Sequence, residues 1–413
     1  MNGIPARVDA VWRIDGARVV ATLAKLTGDV GLAEDLAQEA LVEALRQWPR
    51  DGVPNNPGGW LTAVAKRRAI DHWRRRERLD DRYRAIATTL NESAEDAWEP
   101  IDDDVLRLVF TACHPALSRE GQVALTLRVV AGLSTAEIAR LYFVPVATVQ
   151  QRIVRAKKTI AEARIPFATP EPSEWKPRLA GVLSVVYLVF TEGYTATSGP
   201  EWMRTELANE ALRLGRMVAA LLPREPEAHG LVALMELQAA RFAARTAPDG
   251  TPVLLSDQDR TRWDHSQIMR GRASLARADE LGRGRGPYAL QAAIAECHAV
   301  APSTEETDWD RIVVLYEALG RIAPNPVVEL NRAAAVSMAT GPASALRIVD
   351  ALAADGPLRG SHLLPSVRGE LLAQLGRTDE AVSELTTAAR LAGNEREREV
   401  LLAKAARLRA PRA

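Results

Sequence analysis

Residues 133–163 constrain the fold more than any other stretch of the chain. They read LSTAEIARLYF, then VP, then VATVQQRIVRAKKTIAEA. Ser134 followed three residues later by Glu137 is a capping box, in which each side chain satisfies a backbone N–H that a helix start leaves free. A helix therefore begins there, and it stops before Pro145, which has no N–H to donate. A second helix begins near Thr148 and carries polar and basic side chains. Two helices joined by a turn this short are the helix-turn-helix arrangement.

The rest of the 413 residues has the same helical character. Ala, Leu, Arg and Glu dominate, β-branched alternation is scarce, and 47% hydrophobic with 26% charged residues is ordinary for a globular chain. The expectation is an all-α protein of two or three domains. The two cysteines, Cys113 and Cys297, lie far apart and suggest neither a disulfide framework nor a CxxC metal site, which fits a reducing cytoplasm. The first residues lack an apolar signal core. The longest apolar run, 179–190, is too short to span a bilayer and reads as a buried helix.

Punctuation divides the chain. Residues 8–47 read as helical, and PRDGVPNNPGG (49–59) then interrupts with three prolines and three glycines, a loop of defined shape. In the next helix Trp60, Leu61, Val64, Ala65 and Ile70 form one apolar stripe. A proline-rich linker, PFATPEPSEWKP, spans 166–177, and RGELLAQLGRTDEAVSELTTAARLAG (368–393) has the spacing of a tetratricopeptide unit in Gly369, Leu372, Gly376, Ala381, Leu385 and Ala388. Residues 315–352 are a weaker second copy, with Tyr316 and Pro324 in register. The expected division is 1–88, an acidic linker 89–104, a helix-turn-helix domain 105–165, the linker 166–177, and a helical-repeat domain 178–413.

Net charge is zero, yet the charges are unevenly placed. Residues 66–84 hold nine basic and four acidic side chains, a net of +5, and residues 150–164 hold five and one, a net of +4. Between them, residues 89–104 carry seven acids and no base. Two basic segments flank an acidic strap.

GDVGLAEDLAQEALVEALRQWP with GGWLTAVAKRRAIDHWRRR resembles region 2 of extracytoplasmic-function sigma factors, members of the sigma-70 family. LSTAEIARLYFVPVATVQQRIVRAKKTI resembles their region 4. The two lie in the right order over roughly residues 1–165. The remaining chain, with VYLVFTEGY (186–194), DQDRTRW (257–263) and the tetratricopeptide-like end, resembles the subgroup with a large helical C-terminal extension.

The resemblance implies specific partners. Asp35, Gln38 and Glu39 would dock the β′ clamp helices of core RNA polymerase, with the β flap as a second polymerase contact. Asn55, Asn56 and Trp60 would hold a flipped base of the −10 element, whose extrusion costs a few kcal/mol. Lys66, Arg67, Arg74, Arg75 and Arg76 would bind phosphates. Trp60 also lies on the apolar stripe, so base contact and core packing both stand as readings of it. Thr148, Gln150, Gln151, Arg152 and Arg155 would reach −35 base edges, with Lys157 and Lys158 on phosphates. Family members often have Gly-Thr-Val-Lys-Ser-Arg where this chain has Ala-Thr-Val-Gln-Gln-Arg (147–152), so the resemblance implies no particular −35 preference. The acidic strap would thread the basic cleft of the polymerase, although plain solubility accounts for its composition too.

No catalytic pattern competes. His72, His114, His229, His265, His298 and His362 are scattered, and there is no HExxH, GxSxG, P-loop or GxGxxG. No cofactor or metal is expected, and no membrane. Asp257, Asp259, Arg260, Arg262 and Asp264, with Glu192, Gly193 and Tyr194, either line a ligand pocket or form internal salt bridges and a helix cap, the simpler reading. The chain then reads as a cytoplasmic promoter-specificity subunit, not an enzyme, whose C-terminal domain modulates activity and binds a protein partner or its own chain. The other class of reading is a helix-turn-helix regulator with a tetratricopeptide-like sensor.

Overall fold

A computed structural model gives the architecture. It describes residues 4–75, 102–142, 144–195, 203–247, 251–282, 284–356, 358–393 and 395–409. Most of the acidic strap and Arg76 lie outside the described residues. Among those described there is no β-strand, only an isolated bridge between Thr246 and Pro252, and the all-α reading holds. The chain divides into two compact units, Met1–Val186 and Tyr187–Ala413.

In the first unit α1 (Ile4–Thr27), α2 (Val30–Asp51) and α3 (Pro57–Arg75) pack on one another. Asp29 starts α2 by accepting hydrogen bonds from Gly31 N at 2.7 Å and Leu32 N at 3.1 Å. The Pro/Gly loop is shorter than its composition suggests, because α2 runs through Pro49 to Asp51 and α3 starts at Pro57. Pro49 sits in the final turn, where little of the hydrogen-bond ladder remains to be broken, and Gly52 N closes that turn on Trp48 O at 3.1 Å. Asn56 caps α3, its Oδ1 accepting from Gly59 N at 2.9 Å.

The unit continues with α4 (Asp102–Ala112), α5 (Arg119–Val129), α6 (Thr135–Tyr142) and α7 (Val146–Glu162). Helix α4 begins at Asp102, so the end of the strap belongs to a helix. Asp104 is buried and bonded to Lys25 at 3.2 Å. The capping box is formed in both directions, Ser134 N to Glu137 Oε2 at 2.8 Å and Glu137 N to Ser134 Oγ at 3.1 Å. Helix α7 starts at Val146, two residues before the Thr148 read from sequence, because Pro145 ends one element and caps the next.

Helix α8 (Trp175–Tyr194) contains the apolar run, with Leu179, Val182, Leu183, Val185, Val186, Val189 and Phe190 all buried. None of the described helices is long and apolar enough to cross a membrane. In the first unit Trp175 packs on Phe110 at 5.2 Å, and Arg178 donates to Phe110 O at 3.0 Å.

The second unit is a run of helices, each packed on its neighbour in sequence: α9 (Thr205–Leu221), α10 (Pro226–Ala239), α11 (His265–Leu281), α12 (Pro287–Val300), α13 (Trp309–Ile322), α14 (Pro326–Thr340), α15 (Pro342–Asp355), α16 (Leu363–Gln374), α17 (Thr378–Leu391) and α18 (Glu395–Arg409). The tetratricopeptide spacing has its physical cause here. Leu372, Ala381, Leu385 and Ala388 are all buried, Leu372 and Ala381 in one core cluster and Leu385 and Ala388 in the next, with Leu401 and Ala405 of α18. A Cβ on Gly369 would lie 2.9 Å from Leu385 Cγ, so only glycine lets the pair approach this closely. Gly376 turns the chain between them at φ +75°.

Candidate nucleic-acid interface

Helices α2 and α3 carry the first group of candidate residues. Asp35 and Glu39 are exposed, while Gln38 is half-buried and its Nε2 has no hydrogen-bond partner among the described residues. Asn55 and Asn56 are exposed at the loop, and Asn56 is committed to capping α3. Trp60 is half-buried, its ring edge-on to Trp48 at 5.4 Å. Packing on Trp48 and partial exposure therefore coexist in one side chain. Leu61, Ala65 and Ala69 are buried, which leaves Arg67 exposed and Lys66 half-buried. Burial lowers the Lys66 ammonium from its ordinary pKa. Arg68 donates to Glu43 at 3.2 Å, tying α3 to α2. Arg74 and Arg75 close α3.

Helix α7 buries Val149, Ile153, Ala156 and Ile160 at helical spacing. That stripe turns Gln150, Gln151, Arg155 and Lys158 outward, with Thr148 and Arg152 half-buried beside them. Arg152 and Arg155 border a depression of about 440 Å³ against Ser118 and Gly121 at the start of α5. A helix whose outer face carries two amides, two guanidiniums and an ammonium can donate to base edges and phosphates.

Lys157 points another way. Its Nζ donates to Glu34 Oε2 at 2.5 Å and to Asp35 Oδ1 at 2.9 Å, on α2. Arg128, from α5, donates to Glu34 Oε1 from Nε at 2.8 Å and to Leu133 O at 3.1 Å. Glu34 is 4% exposed. Burial alone would raise its carboxyl pKa, but Arg128 and Lys157 outweigh burial and hold it below the ordinary range. Burial would likewise lower Lys157, and Glu34 and Asp35 hold it above its usual value. A −35 candidate and a polymerase-binding candidate are thus bonded to each other. Glu34 and Arg128 did not emerge from the sequence. The available signal was an acid on the apolar face of α2, among Val30, Ala33 and Ala37, which requires a buried cation.

Three families match the chain. Residues 15–79 match sigma-70 region 2, residues 107–160 match sigma-70 region 4, and residues 178–279 match a family of unknown function. The chain belongs to the sigma-70 family. Within it, the chain falls in the extracytoplasmic-function group with a large C-terminal helical extension. An uncharacterized protein of Rhizobium meliloti (strain 1021) is 43% identical over 394 residues, 92% of this chain and 90% of its own. The probable ECF RNA polymerase sigma factor SigI of Mycobacterium tuberculosis is 31% identical over 175 residues, 40% of this chain and 58% of that protein. ECF RNA polymerase sigma factor SigC of the same species is 29% identical over 157 residues, 38% of this chain and 78% of its own. The region 2 match takes in α2 and α3, and the region 4 match ends within α7.

Other sequence candidates have structural roles. Cys113 is buried against Thr126, and burial pushes its thiol up to about 11, away from reactivity. Asp259 accepts from Thr261 N at 3.0 Å, and Asp264 caps α11 by accepting from Gln267 N at 2.9 Å. Glu192 pairs with Arg204 at 2.8 Å. Cap and salt bridge account for these acids. The basic and aromatic members of the same motifs have other surroundings, described below.

Proposed function

We propose that this sigma-70 family member binds core RNA polymerase and directs it to promoters read at two elements. The α2 face with Asp35, Gln38 and Glu39 docks the β′ clamp, region 4 meets the β flap, and the protein acts in the cytoplasm. The 52–56 loop, Trp60 and the basic side of α3 take the −10 strand, and the outer face of α7 reads −35. The observation that carries this is the occurrence of regions 2 and 4 in one chain, in order, with α7 presenting Gln150, Gln151 and Arg155 to solvent. A plain helix-turn-helix regulator has no use for region 2. The division into region 2 (1–88), acidic linker (89–104), region 4 (105–165), linker (166–177) and modulating domain (178–413) follows the same reading. Such a subunit performs no chemistry of its own.

The Lys157 contact adds a step. While Lys157 holds Glu34 and Asp35, α7 and the α2 face are joined, so loading onto polymerase requires that contact to part. The test is transcription in vitro with purified core polymerase on a library of promoter sequences. Initiation from sites that core alone ignores is expected. Failure to start from any of them refutes the proposal.

A further inference from the structure

VYLVFTEGY and DQDRTRW lie some 60 residues apart in the chain, and their ends meet in the second unit with AARFAAR (239–245). The Arg245 guanidinium lies over the Tyr194 ring, 3.5 Å from its centroid, and donates to Tyr194 O at 2.6 Å. Arg241 donates to the Tyr194 hydroxyl and lies 5.8 Å from the Trp263 ring centroid. Arg260 stands 4.7 Å from the same ring and donates to the carbonyls of His298 at 2.5 Å and Ala301 at 2.7 Å.

The acids of these motifs are engaged elsewhere. Among the described residues neither Arg241 nor Arg260 has an ion pair. Glu305 is the acid whose charge reaches Arg260, and it is fully exposed and bonded to Ser303. Other arginines of the unit contrast sharply: Arg216 and Arg270 share Glu236, Arg368 has Asp350 and Glu384, and Arg332 has Glu317 and Glu329. Like charges gathered against two rings repel. Burial, and then Arg241 and Arg260, push the His298 imidazole down to about 4. Burial pushes Arg245 down to about 10. Three nitrogens, Arg260 Nη2, Trp263 Nε1 and His298 Nδ1, are buried without a hydrogen-bond partner among the described residues. Such groups are costly, and the Arg260 and Trp263 N–H groups call for an acceptor. A cavity of about 330 Å³ reaches Arg260 and Trp263 between α11 and residues 299–302, and no carboxylate of the described residues lines it. Arg272 at its edge is held by Glu296 at 2.9 Å.

We propose that Arg241, Arg260 and Trp263 form a binding site in the C-terminal extension for a small molecule bearing an oxyanion, a phosphate or a carboxylate, entered through this cavity. Either group supplies acceptors in the geometry a guanidinium fork matches, and its charge relieves the repulsion between the two arginines. A site held in readiness this way is strained when empty. Removing one cation should therefore not weaken the empty protein, whereas a purely structural arginine would be missed.

The test is thermal unfolding of the intact chain in rising inorganic phosphate, and separately in rising citrate, against sodium chloride at matched ionic strength. A saturable rise in Tm with phosphate assigns a phosphate ligand, a rise with citrate alone assigns a carboxylate, and chloride should give none. Arg260→Gln and Arg241→Gln should each raise the half-saturating concentration at least tenfold. Arg241→Gln should leave the Tm without anion unchanged or higher, which keeps the proposal testable if Arg260→Gln does not fold. No saturable response to either anion, an unchanged response in Arg241→Gln, or a lowered anion-free Tm in that variant would overturn it. The measurement needs neither polymerase nor DNA, so its failure leaves promoter reading untouched.

Discussion

Replacing Lys157 by Met tests the contact between α7 and α2. The side chain keeps its stem, which packs beside Gly31, and loses only the ammonium. Three hydrogen bonds from the ammonium disappear, to Glu34 at 2.5 Å, to Asp35 at 2.9 Å and a long one to Gly31 O at 3.4 Å. The Asp35 bond is worth a few tenths of a kcal/mol, because that carboxylate is 68% exposed. The Glu34 bond is buried, and a bond to a charged group is worth about 1.5–3 kcal/mol. The larger penalty of about 3–5 kcal/mol for a stranded buried charge does not apply, since Arg128 still pairs with Glu34 at 2.7 Å. A loss of about 2 kcal/mol shifts the joined-to-parted ratio by roughly 30-fold. If the joined form must part before polymerase binds, Lys157→Met should bind core more tightly by up to that factor, measured by fluorescence anisotropy of the labelled protein. Lys158→Met is the control, for its ammonium faces outward and among the described residues pairs with Glu162 alone, at 3.5 Å. A Glu34→Gln, Lys157→Met double-mutant cycle in urea should show coupling above about 1 kcal/mol. Additive energies together with unchanged core affinity would refute the reasoning.

The same contact predicts a pH dependence. The Glu34 pKa is depressed in the folded chain, so its contribution is complete above about pH 4.5 and lost as pH falls through the folded value; acid unfolding of Glu34→Gln should start from lower stability at neutral pH and change less below pH 4.5. Gly369→Ala should destabilise the second unit by about 1–3 kcal/mol with unchanged m-value in urea, since its Cβ would meet Leu385 Cγ at 2.9 Å and Ala381 O at 3.2 Å. Reversing charge at Arg74, Arg75 and Arg76 should weaken open-complex formation and flatten its salt dependence, and an unaltered slope would remove them from the DNA. A chain ending at residue 165 should melt earlier than one ending at 186, because the longer one keeps Trp175 on Phe110 and Arg178 on Phe110 O.

Local chemistry was legible in the sequence to the extent that local contacts settle it. The capping box at Ser134 and Glu137 lies within four residues and forms as read. The small residues of 368–393 fix one pair of helices, and Gly369 shows the steric reason. The sequence says less where a neighbour in space adds to or overrides a local signal. Pro49 reads as a helix breaker, yet α2 continues two residues past it, held by the buried Trp48. Lys157 reads as one more cation in a basic helix. Its partner lies 123 residues away, and nothing at either end announces the pairing except the unusual acid on the apolar side of α2. Arg241 and Arg245 were missed for a related reason: AARFAAR looks like an ordinary amphipathic end, and only the fold brings it to Tyr194 and Trp263.

Zero net charge therefore covers two different uses of arginine and lysine in one molecule. On α7 the apolar stripe Val149, Ile153, Ala156 and Ile160 forces Arg155 and Lys158 outward, where a cation is cheap to hold and its field reaches a polyanion. In the second unit Arg260 is half-buried, and the aromatic ring beside it lowers the cost of leaving water without cancelling the charge. An outward cation needs no partner to be stable, so its function shows as exposure. An inward one does need a partner, so its function shows as an imbalance. The first kind is found by counting charges along a sequence, the second only by asking which buried cations the folded chain has failed to neutralise. The half-buried Arg332 and Arg368 pass that question with their carboxylates in place, and the half-buried Arg241 and Arg260 do not. The extension thus has two kinds of arginine that composition cannot separate, one holding helices together and one awaiting an anion.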